Sequence, residues 1–400
     1  METSKREIVK NLSNKKVVLG NGFDLFCGLK TTYSDFFESQ KENYYSFKGY
    51  VDAFKQDAYG GGKYYFRGEE GCLSKVLENT IWDLVFYLNS NSNKETKWCD
   101  IEMIIKNTFA GKKPIIWKFV LELLQNKNTI YAKHKYEYIC AYFLKNKYKE
   151  KDFNIGTTFY DVLLEELILF EHKFGEYIRL EQQNKQEYFD NTVNTLIKFT
   201  NRIDQIVSID TFNYSNISSD RRWCFTKINN INGTMDNPIF GFFSPEIDPL
   251  SNEHTFTKSH RRTLFLFEKD CSDQKDFFEH LIVFGHSLNE QDYNYFFPLF
   301  DELELTNPRE ERKLIIAYAI YDSSKKKEIT EELAKRTIKM IYEYEKHTGS
   351  TSVRLYDKLL YQKRIVFYKV DSGKENIDYF YSINNDINNI ESDSYMDWSD

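Results

Sequence analysis

The chain has 400 residues, enough for one large domain with an insertion or for two domains, and enough to bury a sizeable core. Aromatic residues make up 17% of it and only 6 Pro and 17 Gly interrupt it, a composition of helix-rich packing that excludes disordered and collagen-like classes. Its net charge of −7 is carried by residues 371–400, where eight acids meet one base, Lys374; the rest is balanced, so no global basic field marks a nucleic-acid binder.

The six cysteines stand singly, with no C-x-x-C pair and no histidine at zinc-ligand spacing, which predicts reduced thiols and no resident metal. The charged segment Met1–Lys10 lacks the apolar core of a signal peptide. Lys118 and Glu122 break the longest apolar stretch, Ile115–Leu124, so no membrane span is expected and the protein reads as soluble and cytoplasmic.

In chain order, Lys16-Val17-Val18-Leu19 predicts a strand buried on both faces, running into the glycine-bracketed turn Gly20-Asn21-Gly22-Phe23-Asp24. Glycines there permit positive φ and close approach to a ligand, and a helix starting after the turn would aim its N–H groups at a phosphate; a plain tight turn is the bland alternative. Thr31, Thr32 or Ser34 caps a helix from about Tyr33 that turns Phe36 and Phe37 inward. Apolar residues then recur at three and four through Leu73–Leu88 and Phe159–Phe170, predicting a helical insertion to about residue 205. Glycines at 60, 61, 62, 68 and 71 mark a loop or hairpin across 57–71. Gly62-Lys63 lacks the Ser or Thr of a phosphate loop.

Strand-like segments resume at 205–210, 225–231, 280–284, 313–318 and 364–370, with an amphipathic helix at Lys325–Lys346. Strands separated by helices predict an α/β fold, a Rossmann-like, mostly parallel sheet interrupted by a large helical insertion. The expected division is an α/β nucleotide-binding-like domain from 1–40 and 205–370, a helical insertion over 41–204, and a mobile acidic tail over 371–400. Ligands of such sheets bind beyond the carboxyl ends of the strands. Four turns there carry polar residues: Gly20–Asp24, Phe212-Asn213-Tyr214-Ser215, Asn232-Gly233, and Gly285-His286-Ser287 followed by Asp292.

These residues resemble the AbiH family of bacterial phage-resistance proteins. The likeness rests on Leu19–Leu25 with Gly28-Leu29-Lys30-Thr31 and Tyr33-Ser34-Asp35-Phe36, on Trp98 with Asp100-Ile101-Glu102, on Phe212-Asn213-Tyr214, on Gly233 with Gly241, and on Gly285–Leu288 with Asp292. The turns are also similar, more loosely and in the same order, to those of sirtuin-type (SIR2-like) NAD-binding folds. Asn232 stands where that likeness wants histidine, and an amide takes no proton near neutral pH.

The resemblance implies antiphage defence by abortive infection, with NAD or a related nucleotide as ligand or substrate and cleavage at the glycosidic bond. It assigns Asn213 and His286 to catalysis, and Gly20, Asn21, Gly22, Asp24, Tyr214, Asn232, Gly233, Gly285, Ser287 and Asp292 to nucleotide binding. Four of them have a bland reading beside the functional one: Asn21 and Asn213 as turn formers, Asp24 as a cap, His286 as a satisfied histidine at a strand end. Two other classes stay open. A metal-dependent nuclease would use Asp24, Asp100 or Glu102. A non-catalytic sensor would bind a phage-encoded trigger or nucleotide and act through a partner, with homo-oligomerisation left open.

Overall fold

The computed structural model describes residues 14–56, 64–92, 101–110, 115–125, 135–153, 156–200, 206–217, 226–244, 246–267, 277–307, 312–320, 323–349 and 354–370. Trp98, Asp100, the 57–63 segment and the acidic tail lie outside them. The chain divides into two compact units, one built from 1–29, 181–231 and 272–400 and the other from 30–180 and 232–271.

The first unit is organised by a six-stranded, wholly parallel sheet. Its strands are β1 (Lys15–Leu19), β4 (Ile206–Thr211), β5 (Lys227–Asn230), β6 (His280–Phe284), β7 (Lys313–Ala319) and β8 (Ile365–Val370). The spatial order is β5-β4-β1-β6-β7-β8. The sheet is thus wound outward in both directions from β1, and its topological switch point lies between β1 and β6. Val17 and Leu19 face one layer, with Phe23, Tyr188, Val193 and Leu196 packed on it. Val18 faces the other, with Phe296, Phe300, Met340, Ile341 and Leu359. Helices Asn21–Phe26 and Tyr188–Thr200 supply the first layer, and Tyr293–Glu302, Lys326–Thr348 and Leu355–Tyr361 the second. Both faces are covered, which is why β1, β6 and β7 read as largely apolar runs.

The second unit is mostly helical, with one antiparallel hairpin of β2 (Phe54–Gln56) and β3 (Tyr64–Phe66). Thr32 caps helix Tyr33–Ser39 in a reciprocal box with Asp35. The apolar run from Leu73 to Leu88 resolves into two helices, Glu70–Leu77 and Ile81–Ser92, because Thr80 and Asp83 form a second such box at the break. Aromatic rings fill the core; Phe170 meets Phe36 at 5.7 Å, Phe86 at 4.9 Å and Phe240 at 5.8 Å. Buried acids on the helix Gly156–Gln183 tie this core together. Glu171 accepts both arms of Arg261 (2.5 and 2.8 Å) and the Phe240 N–H (2.6 Å); Glu166 accepts the Ile81 N–H (2.6 Å) and pairs with Lys147 (2.7 Å).

No helix among the described residues is long and apolar enough to cross a membrane. Cys27, Cys72 and Cys140 are unbridged.

At the switch point two backbones touch. The Gly20 N–H donates to Phe284 O (2.9 Å) and the Gly22 N–H to Gly285 O (2.8 Å). A Cβ at Gly20 would sit 2.4 Å from His286 Cα, and one at Gly22 would sit 2.8 Å from Gly285 Cα. Neither glycine has positive φ; Gly285 does, at +68°. The glycine requirement of this turn is therefore close approach to a neighbouring strand end, with left-handed geometry confined to its partner.

A buried ion pair lies on the second layer's side of the sheet. Lys16 Nζ meets Asp210 Oδ2 at 2.7 Å and donates to Ser208 Oγ at 3.2 Å, and Asp210 also accepts from Asn229 Nδ2 (2.6 Å) and the Tyr295 hydroxyl. Two outcomes follow from these contacts. Gly20→Ala should lower stability by about 1–3 kcal/mol or more, because only backbone can yield there; a urea midpoint equal to wild type would refute the packing role. Lys16→Met strands Asp210 and should cost about 3–5 kcal/mol in the same measurement, and a loss below about 1 kcal/mol would show that the hydroxyl and amide donors suffice.

Candidate functional site

The carboxyl edge of the first unit's sheet brings three of the four polar turns together. Asp24, on the short helix after β1, has no solvent exposure. Its Oδ1 accepts from the Tyr188 hydroxyl at 2.8 Å, and Tyr188 in turn reaches Ser215 Oγ at 3.0 Å. The other oxygen, Oδ2, is buried with no hydrogen-bond partner among the described residues. Burial raises this carboxyl to about pKa 6, and the polar side chains of Ser215, Tyr188 and Asn213 beside it keep it from rising further. The same burial, reinforced by the Asp24 charge, holds the Tyr188 phenol well above its ordinary range.

Asn213 follows β4. Its N–H bonds Thr211 Oγ1 (3.1 Å), and its side-chain Nδ2 donates to Gly20 O (3.1 Å), clamping the β1 turn to the end of β4. With an exposure of 4% it is enclosed and not part of an open cleft. Tyr214 and Ser215 beside it are also buried.

His286, after β6, is held from all sides. Its Nδ1 accepts the Leu288 N–H at 2.9 Å, and its Nε2 lies 3.5 Å from Asp292 Oδ2. The ring stands edge-on to Phe212 (4.4 Å) and Phe296 (5.0 Å). An Nδ1 that accepts a backbone N–H fixes the tautomer with its proton on Nε2, facing the Asp292 carboxylate. The turn has a backbone cost, since Leu288 has φ of 53°. Ser287 is exposed, and its carbonyl accepts from Arg336 Nη1 at 2.9 Å.

Asn21 and Gly22 open the short helix at partial exposure. That helix leaves few N–H groups for a phosphate: those of Gly20, Gly22 and Phe23 are taken by Phe284, Gly285 and Gly20 carbonyls. The fourth turn belongs to the other unit. There Asn232 Oδ1 accepts from Arg262 Nη2 (2.7 Å), the Asn232 carbonyl accepts the Ile239 N–H (2.8 Å), and Gly233 at φ +81° bridges to Pro238. Both residues thus shape a turn of that unit.

Several residues at these turns escape a reading of strand ends alone. Tyr188 and Arg336 lie on helices, where a tyrosine and an arginine carry no local signal; Lys16 and Asp210 form an ion pair on one sheet face, which neither residue signals alone. Glu102, raised by the D-x-E spacing, is paired with the buried Lys258 at 2.7 Å in the helical unit.

No curated protein matches the chain. The family model described as bacteriophage abortive infection AbiH matches residues 17–311, from the second half of β1 to the segment just before β7 and through the Asp24, Asn213 and His286 turns. With well over half of its length matched, this chain belongs to the AbiH family, whose role is phage defence by abortive infection.

Proposed function

We propose that the protein acts in abortive infection by binding an NAD-like nucleotide at the carboxyl edge of the first unit's sheet and cleaving its glycosidic bond. The observation that carries this reading is Asp24, a fully buried carboxyl with one unpartnered oxygen and a pKa raised to about 6. Such an oxygen is an acceptor waiting for a donor, which a ribose hydroxyl or a water supplies, and a carboxyl of that pKa exchanges a proton near neutral pH. The β1–β6 switch point is where sheets of this winding take nucleotides.

In this reading the oxygen of a water bonds to the anomeric carbon. The bond to the nicotinamide nitrogen breaks with its electron pair going to the ring, and the proton released by the water passes to Asp24. Asn213 orients the water or sugar once its clamp on Gly20 opens. His286, with Nδ1 engaged and Nε2 toward Asp292, gives polar support to the wall. The phosphates are better served by Arg336 beside Ser287 than by the Gly20–Asp24 amides, which the chain uses itself. Asn21, Tyr214, Gly285 and Ser287 border the same edge. The trigger is a phage-encoded molecule or nucleotide, met in the cytoplasm.

The direct test is NAD measured in infected cells. Wild-type protein should deplete it, and Asp24→Asn and Asn213→Ala should each slow depletion by roughly 10²-fold or more while the proteins stay folded. Protection with NAD unchanged would reject the reading, and loss of tRNA or DNA in its place would favour a nuclease.

Asp24 also predicts a pH dependence of stability. Its folded pKa lies above the unfolded value of 3.8, so the protonated carboxyl favours the folded state; that contribution is full below 3.8 and is lost as pH rises through about 6. Asp24→Asn should therefore gain, relative to wild type, on the order of 3 kcal/mol between pH 4 and pH 7.5. Parallel stability curves for the two proteins would show that the carboxyl is not strained by burial.

A further inference from the structure

The helical unit holds a cleft of about 390 Å³ between helix Tyr33–Ser39, helix Lys41–Asp52 and Tyr87. Its walls are aromatic: Phe37 and Tyr44 stand 5.8 Å apart, and Tyr44 stacks on Phe47 at 5.6 Å, against which Tyr87 also packs at 5.6 Å. Tyr44 is fixed in place, since its hydroxyl donates to Asp83 Oδ1 (3.2 Å) and Asp83 is held by Thr80 and by Lys173 (2.8 Å). Tyr45 is different. It lines the same cleft at 66% exposure, a flat ring at the rim.

The charges at the rim choose the ligand. Lys41 is paired with Glu38 at 2.6 Å, whereas Lys48 has no ion-pair partner among the described residues. An aromatic cleft built for a cation would not carry a spare lysine, because the ammonium would repel the guest. Aromatic walls accept a planar ring, the exposed tyrosine offers it a face, and the lysine takes an anion attached to that ring. The volume is near the lower end of the roughly 300–1,000 Å³ range of small-molecule sites, which suits a mononucleotide better than a dinucleotide.

We infer that this cleft binds a nucleoside monophosphate, with the base against the exposed ring of Tyr45 and the phosphate on Lys48. The site lies in the unit that does not contain Asp24, and it is independent of the chemistry proposed there.

Titration calorimetry on the full chain tests it, using AMP, GMP, CMP and UMP, the matching nucleosides and inorganic phosphate. At least one nucleotide should bind saturably, and its nucleoside should bind about tenfold more weakly or worse for lack of the charged contact. Tyr45→Ala and Lys48→Glu change exposed side chains, so melting should stay at the wild-type temperature while affinity falls about tenfold or more in each. No saturable binding of any of the four at millimolar concentration overturns the proposal. So does binding that both variants retain. Binding lost in Asp24→Asn but kept in Lys48→Glu would also overturn it, by locating the nucleotide at the sheet edge.

Discussion

The arrangement of the first unit depends on two strand ends touching backbone to backbone. β1 and β6 come from distant parts of the chain, and the turn that follows each has to leave the sheet without colliding with the other. Gly20 and Gly22 make room on one side, and Gly285 supplies the left-handed residue on the other. Once the Gly22 amide is bonded to the Gly285 carbonyl, the positions of Asp24 and His286 are set by short segments that cannot drift. Asn213 ties the third strand end into the same knot through the Gly20 carbonyl. The edge of the sheet is a preorganised frame before any ligand enters it.

Two buried carboxyls show how differently the fold treats the same residue chemistry. Burial raises both Glu171, to about 7, and Asp24, to about 6. Glu171 is fully answered: a guanidinium fork and a backbone N–H occupy its oxygens, and it reads as a tie within the helical core. Asp24 is answered on one oxygen only. An acceptor left empty in the interior costs stability, and a protein retains such a group where it has a use for it.

Much of this architecture was legible in the residues. Val17-Val18-Leu19 and the apolar segments at 280–284 and 313–318 announced a doubly covered parallel sheet, and of the three expected caps Thr31, Thr32 and Ser34 it is Thr32 that starts its helix. Acids on the helix Gly156–Gln183 were not legible in the same way. Glu166 and Glu171 look like solvent-face residues until a lysine, an arginine and amides from distant segments arrive to meet them. The same holds for Tyr188 and Arg336, whose meaning comes from partners far away in the chain. The Gly20 turn was read for its freedom, whereas its actual demand is the absence of a side chain against another backbone. After β5 the chain passes at Asn232 into the other unit, where Asn232 and Gly233 shape a turn.

The interleaved order of the two units sets when this protein can become itself during synthesis. β1 emerges first but finds β4 only 192 residues later, judged by the Lys16–Ser208 contact, and the whole helical unit except 232–271 is made in the interval. β6, the other neighbour of β1, arrives later still. Until β4 is made the central strand has no sheet to join, a costly loop closure and a high contact order that favour slow assembly. The frame around Asp24 cannot close before β6 follows. This topology therefore postpones assembly of the sheet edge until about three quarters of the polypeptide has been synthesised.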